Sequence, residues 1–200
     1  MTHSPWALAY ARTPGVYIWG TTPSAFARRV AALLVPHARV LDLGAGEGRD
    51  AVYFAGRGLA VTAVEVSRAG LNKARRLARA RGVRVRWVQG DMRRCHVSGP
   101  FALVYSCGSL HYVPRTARPR LVAGLAALTR PAGYHAHIVF TDRRVYVEQG
   151  EAIDYFTAGE LAGLYAGWRV LYRAPRTIVC AADGTSHRHS VEELIAEKPA

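Results

Sequence analysis

Val40-Leu41-Asp42-Leu43 runs as a short apolar strand straight into Gly44-Ala45-Gly46-Glu47-Gly48, and a helical pattern follows from Arg49. A glycine-rich turn in that setting lets backbone approach a bound ligand at the carboxyl end of a strand. Some 20 residues on (about one strand-helix-strand unit), Glu65 closes the next strand, Val61-Thr62-Ala63-Val64. A carboxylate there can accept both hydroxyls of a ribose. Asp91, in Gln89-Gly90-Asp91-Met92, stands in register after the third strand. It can accept from an adenine amino group while Met92 packs on the ring. Taken together these stations describe a pocket for an adenosine-containing cofactor. A dinucleotide is disfavoured, because its fingerprint needs a third glycine at position 49 and the chain has Arg49.

Other reactive side chains cluster later. Ser106-Cys107-Gly108-Ser109-Leu110-His111-Tyr112 follows the fourth strand. His111 is the candidate general base there, or else a residue that caps the next segment. Tyr112 is assigned to substrate, Ser106 to cofactor, and Cys107 to packing. His187 and His189 are two apart on a strand, so they share one face, with Arg188 on the other. They either line a substrate pocket or sit at a solvated edge. His135 and His137 repeat the spacing. No metal site is expected, because a third ligand cannot be placed beside either pair. Arg143 follows the fifth strand, where an anionic substrate would meet it.

The elements that must hold these residues alternate. Thr22-Pro23 reads as the start of a helix running to about Val35, where Pro36 ends it. Strands are expected at 39–43, 59–64, 83–88, 101–105 and 134–140. Between them lie helices, among them one capped by Ser67 with Leu71, Ala74, Leu77 and Ala78 inward, and one over 118–129 closed by Pro131-Ala132-Gly133. A short helix over 158–165 precedes two more strands, 168–172 and 187–196, joined through Asp183-Gly184. The alternation predicts an α/β fold with a parallel sheet covered on both faces and an antiparallel pair at one edge.

Length and composition narrow the function. The chain of 200 residues suits a single domain with a full core. Its start, Met1-Thr2-His3-Ser4-Pro5-Trp6, lacks the pattern of a signal peptide, and no stretch suits a membrane span. Cys95, Cys107 and Cys180 are odd in number and far apart, which suggests a reducing cytoplasm. The net charge of +13 raises nucleic acid as a partner. Of 27 basic residues, however, only Lys73 and Lys198 are lysines, and the arginines are scattered. This reads as compositional bias, leaving a positive field that favours an anionic small molecule. Oligomeric state is not legible.

The jointly placed turn, Glu65, Gly90-Asp91 and Phe101-Ala102-Leu103-Val104-Tyr105-Ser106 resemble the class I S-adenosylmethionine-dependent methyltransferases. The resemblance implies a Rossmann-like seven-stranded sheet with a C-terminal antiparallel hairpin, and S-adenosyl-L-methionine as cofactor with S-adenosyl-L-homocysteine as product. It implies that Asp42, Gly44, Ala45, Gly46, Arg49, Glu65, Val66, Asp91, Met92 and Ser106 form the cofactor pocket. Tyr17-Ile18-Trp19-Gly20-Thr21, Gly46-Glu47-Gly48-Arg49-Asp50, Phe156-Thr157 and Ala196-Glu197-Lys198-Pro199 are similar to the tellurite-resistance, TehB-like group. On that likeness residues 1–36 make an aromatic lid segment and helix, with Tyr17 and Trp19 over the cofactor, and residues 37–200 make the methyltransferase domain. A chalcogen oxyanion or thiol is then the favoured acceptor. The alternative is O- or N-methylation of a small metabolite; RNA methylation and a non-catalytic sensor of the cofactor are further readings. One departure concerns the acceptor: a His-Arg pair of tellurite-methylating members would fall near Ile178 and Val179 here.

Overall fold

The computed structural model describes residues 5–141, 153–180 and 186–200. Seven strands form one sheet: β1 (Arg39–Leu43), β2 (Ala60–Glu65), β3 (Arg86–Gln89), β4 (Phe101–Cys107), β5 (Thr129–Phe140), β6 (Arg169–Cys180) and β7 (His187–Glu197). Their order is β3-β2-β1-β4-β5-β7-β6. The first five run parallel, and β7 is antiparallel to both β5 and β6. Helices α1 (Pro5–Arg12), α2 (Ala25–Ala31), α3 (Arg49–Gly56), α4 (Arg68–Ala80), α5 (Arg118–Ala127) and α6 (Glu160–Gly163) connect and cover it. β1 and β4 are buried almost throughout because both faces of a parallel sheet are covered. No helix among the described residues is long and apolar enough to cross a membrane.

The expected elements form with shifted ends. Ser24, rather than Thr22, caps α2: its hydroxyl accepts from the Ala27 amide at 2.9 Å. The helix stops at Ala31 and tightens into bonds from Leu33 to Val30 and Leu34 to Ala31, because Pro36 excludes a helical residue before it. α1 occupies a stretch the sequence pattern leaves irregular. β3 starts at Arg86, since the Val83 amide is used to close α4 on Ala78. β5 starts at Thr129, and Pro131-Ala132-Gly133 forms an irregularity inside that strand, opposite Phe101 and Leu103. The Asp183-Gly184 turn and Arg143 lie outside the described residues.

His135 and His137 lie on the face of β5 turned away from the glycine turn, fully buried. Thr129 Oγ1 donates to the Leu125 carbonyl, so it accepts from His135 Nε2 at 2.9 Å. His135 Nδ1 is then the acceptor for the Tyr165 hydroxyl at 2.9 Å, and Tyr165 accepts from His137 Nε2 at 2.6 Å. That leaves His137 Nδ1 to accept from Ser106 Oγ at 2.7 Å. Every group has its partner only while both rings are neutral. Burial accordingly pushes His137 down to about 3 and His135 well below its usual value. Both folded values are depressed, so their stabilisation is complete above the unfolded value of about 6.5 and is lost as pH falls below it. Unfolding free energies from denaturant titrations between about pH 7 and pH 5 should fall by up to roughly 1.4 kcal/mol per pH unit for each ring. His137→Gln should flatten that slope; an unchanged slope would refute the neutral chain.

Candidate functional site

A cavity of about 490 Å³ opens at the carboxyl ends of β1, β2, β3 and β4. This is the switch point, where strand order reverses between β1 and β4. Gly44 has φ +70°, and a Cβ there would stand 2.4 Å from the Ser109 Cβ and 3.3 Å from the Met92 Cε. Ser109 in turn donates to the Leu43 carbonyl at 2.7 Å, so the loop after β4 is tied to the turn after β1. Glu65 accepts from the Gly46 amide at 2.9 Å and from the Ser67 amide at 2.7 Å. Burial raises its pKa, and these backbone donors oppose the rise. The Val66 amide also bears on it, and a carboxylate with about four lone-pair sites keeps capacity for a further donor.

Asp42, Gly44, Ala45, Gly46, Arg49, Glu65, Val66, Asp91 and Met92 all line this cavity, together with Trp19 and Tyr112. Burial, then Asp50 and Glu65, drive the Asp42 carboxyl well above the usual carboxylate range. Asp91 is held below its usual value, chiefly by Arg93, whose Nε lies 2.9 Å from both carboxylate oxygens. Val66 is exposed on the rim.

Two expected cofactor residues lie elsewhere. Ser106 is fully buried and bonded to His137, on the opposite face of the sheet. Strand side chains alternate, so its neighbours Tyr105 and Cys107 face the cavity instead. Tyr17 also turns away. Its hydroxyl donates to the Lys73 carbonyl at 3.0 Å and its ring packs beside Val52 and Leu77. Trp19 is placed over the cavity by a device not seen in the sequence pattern. Glu47 accepts from the Ile18 and Trp19 amides, both at 3.1 Å, and pairs with Lys73 at 2.6 Å. Lys73 further donates to the Val16 carbonyl at 2.7 Å and to Thr13 Oγ1 at 3.0 Å. The clamp holds an aromatic roof in which Trp6 lies 5.0 Å from Trp19 and 5.9 Å from Tyr10, between ring centroids. Trp6 Nε1 donates to the Tyr112 hydroxyl at 2.7 Å, joining the roof to the loop after β4.

His111 is not on the cavity wall. It is fully buried and stacked 4.1 Å from the Phe140 ring, and its Nδ1 accepts from the Phe140 amide at 3.2 Å. A neutral imidazole has one acceptor nitrogen, and here it holds backbone, so the structure argues against His111 as the base. Cys107 does reach the cavity. Burial and then Asp50 push its thiol up to about 12, which keeps it protonated and unreactive. Arg49 runs between the roof and the end of β4: Nη1 lies 3.3 Å from the Trp19 carbonyl and Nη2 3.7 Å from Cys107 Sγ. Its partner Asp50 also accepts from the Ser24 amide, the Ser24 hydroxyl and the Tyr105 hydroxyl at 2.8, 3.0 and 2.8 Å. His189 lines the far wall beside Cys180 and Ile178, and His187 stands 2.9 Å from it, Nε2 to Nε2. Antiparallel β7 brings both histidines to the carboxyl end of β5, the end where the cavity lies.

Comparison with known proteins agrees with this geometry. Residues 40–133 match the methyltransferase domain family. Trans-aconitate 2-methyltransferase of Deinococcus radiodurans is 35% identical over 119 residues, 55% of this chain and 42% of its own. Hemagglutinin 1 of Eikenella corrodens is 25% identical over 183 residues, 90% of this chain and 61% of its own. The chain thus spans less than two thirds of the length of either relative. The matched segment holds the glycine turn and the strand-end acid of the switch-point cavity, so over these residues the chain is similar to a methyltransferase domain. The methyltransferase-domain match implies S-adenosylmethionine as cofactor. The fold is TehB-like: the structure of TehB from Haemophilus influenzae superposes with a TM-score of 0.78 over 95% of this chain and 67% of that one, at 17% identity.

Proposed function

We propose that the protein methylates a small anionic nucleophile, a chalcogen oxyanion or a thiolate, in the half of the cavity beyond β4 and β5. The observation that carries this is Arg49. Burial opposes the charge on its guanidinium, but the Asp50 carboxylate outweighs that and keeps it charged, and it stands at the junction of roof, turn and Cys107. Asp50 shares its charge with three further donors, so part of the Arg49 field remains for an incoming anion.

The residues present fit the cofactor. Glu65 would hold the ribose hydroxyls, Met92 and Val66 the adenine side, and Asp42 with the glycine turn the amino-acid part. When bound, the cofactor supplies a methyl group already activated on a sulfonium sulfur. The protein's share is then alignment and exclusion of water, which the Trp6–Tyr10–Trp19 roof provides. An acceptor of this class brings its own lone pair and does not call on His111. Three thiols set apart from one another fit a reducing, cytoplasmic setting.

The relative named trans-aconitate 2-methyltransferase favours a second reading, O-methylation of a carboxylate, since Arg49 would serve that anion equally. A turnover panel at saturating S-adenosylmethionine separates the two. Tellurite, selenite and thiols are compared with small carboxylic acids and amines, with S-adenosylhomocysteine release as the readout. Turnover with the chalcogen acceptors is expected; turnover confined to carboxylic acids or amines sinks the first reading.

A further inference from the structure

The two histidines of β7 acquire a third partner. Cys180, the last residue of β6, is directly opposite His187 in the β6–β7 register. Paired residues in antiparallel strands share a face, and His189, two residues on, shares it too. Cys180 Sγ and one ring nitrogen from each histidine all lie within 4.8 Å of one another, and all three residues are buried. The imidazole rings stand nearly perpendicular, at 89°, with their Nε2 atoms aimed at each other across 2.9 Å. His189 is braced from behind by the Phe140 ring at 4.2 Å.

We propose that Cys180, His187 and His189 bind one zinc-type divalent ion. Zinc takes thiolate at about 2.3 Å and imidazole at about 2.0–2.1 Å, with tetrahedral angles. Those values put two nitrogens about 3.3 Å apart and sulfur about 3.6 Å from each nitrogen. The observed nitrogens need to separate by only a few tenths of an ångström to receive the ion. One sulfur and two nitrogens select zinc over magnesium or calcium, which take oxygen.

Among the described residues three protein ligands are in place, which leaves a tetrahedral ion one position short, the arrangement of reactive rather than structural zinc. Cys180 and His189 both line the main cavity, so the remaining position faces its acceptor half. A thiol bound there loses its proton to solvent and stays as thiolate, because coordination lowers thiol pKa strongly. This last step rests on the thiol reading of the acceptor; the metal site itself does not.

The experiment uses the full chain, stripped with chelator and titrated with Zn2+ against a chromophoric chelator, and separately with Co2+ followed by absorbance. One equivalent should bind, with a sulfur-to-cobalt charge-transfer band and the strong visible bands of a tetrahedral ion. Cys180→Ser should abolish the charge-transfer band. Cys180→Ser and His189→Gln should each weaken Zn2+ binding by more than about a hundredfold, beyond the 10- to 100-fold cost of losing a supporting residue. His96→Ala, at an exposed histidine, should leave binding intact. Circular dichroism of each variant separates lost ligation from lost fold. Absence of stoichiometric binding, or binding indifferent to Cys180→Ser in a folded variant, overturns the site. Adding 2-mercaptoethanol should shift the charge-transfer band. A spectrum that thiol leaves unchanged overturns the open position, whereas the acceptor reading fails separately, on the turnover panel.

Discussion

Replacing Glu65 by alanine lowers the affinity for S-adenosylhomocysteine by roughly a hundred- to ten-thousandfold, measured by calorimetry. Two ribose hydroxyls donating to one carboxylate are charge-assisted bonds of about 1.5–3 kcal/mol each, and both vanish together. A second loss adds to the first. The Gly46 and Ser67 amides now bonded to Glu65 lose their acceptor inside the protein, at about 1–3 kcal/mol for each donor left unsatisfied. The glycine turn therefore slackens as well. Glu65→Gln keeps the shape and one acceptor, so its loss should fall between wild type and alanine. Binding by the alanine variant within tenfold of wild type would remove Glu65 from the cofactor pocket.

Glu47→Ala should be the most destabilising single change in the roof, by about 3–5 kcal/mol in urea unfolding, because it strands a buried ammonium. It also removes the acceptor for two amides, at Ile18 and Trp19. Trp19 then loses its placement, and cofactor affinity should fall with it. The double variant Glu47→Gln with Lys73→Met should recover much of the stability, since a matched apolar replacement leaves no charge stranded. A single variant within about 1 kcal/mol of wild type would show that the pair is not the clamp.

Much of the cofactor half was legible because it is local. The turn after β1 and the acid ending β2 are set by short runs with one neighbouring strand each, and glycine at Gly44 is required by a contact that no side chain tolerates. Ser106 was misplaced by a single residue of phase. Phe101 to Ser106 is buried on both faces, so no alternation showed which side chains face the cavity. His111 stood at the expected place in the chain, but its acceptor nitrogen is taken by Phe140, 29 residues away, and no local pattern encodes that bond. The histidine pair of β7 was recognised and its third partner was not, because Cys180 joins it only through strand register.

In a chain so biased toward arginine, two lysines persist, and both turn their ammonium groups inward. Lys73 meets Glu47 and the Val16 carbonyl, and Lys198 meets the carbonyls of Ala126 and Thr129, each at 2.8 Å. A compact ammonium with three donors fits among converging oxygens where a planar guanidinium does not. The register also bears on the acceptor: Ile178 and Val179, where the TehB-like likeness would have His-Arg, lie opposite His189 and Arg188.

The position of β7 gives the two halves of the cavity different histories. β2 pairs with β1, β3 with β2 and β4 with β1, so each strand after the first joins one made before it. β6 borders β7 alone, and β7 is what attaches it to β5. During synthesis the cofactor half can take shape while the later residues are still being added. The acceptor wall must wait for residues 187–197, which slide between two strands made before them. A ribosome-bound chain that stops short of them would already have its glycine turn and strand-end acid in place, with no wall opposite.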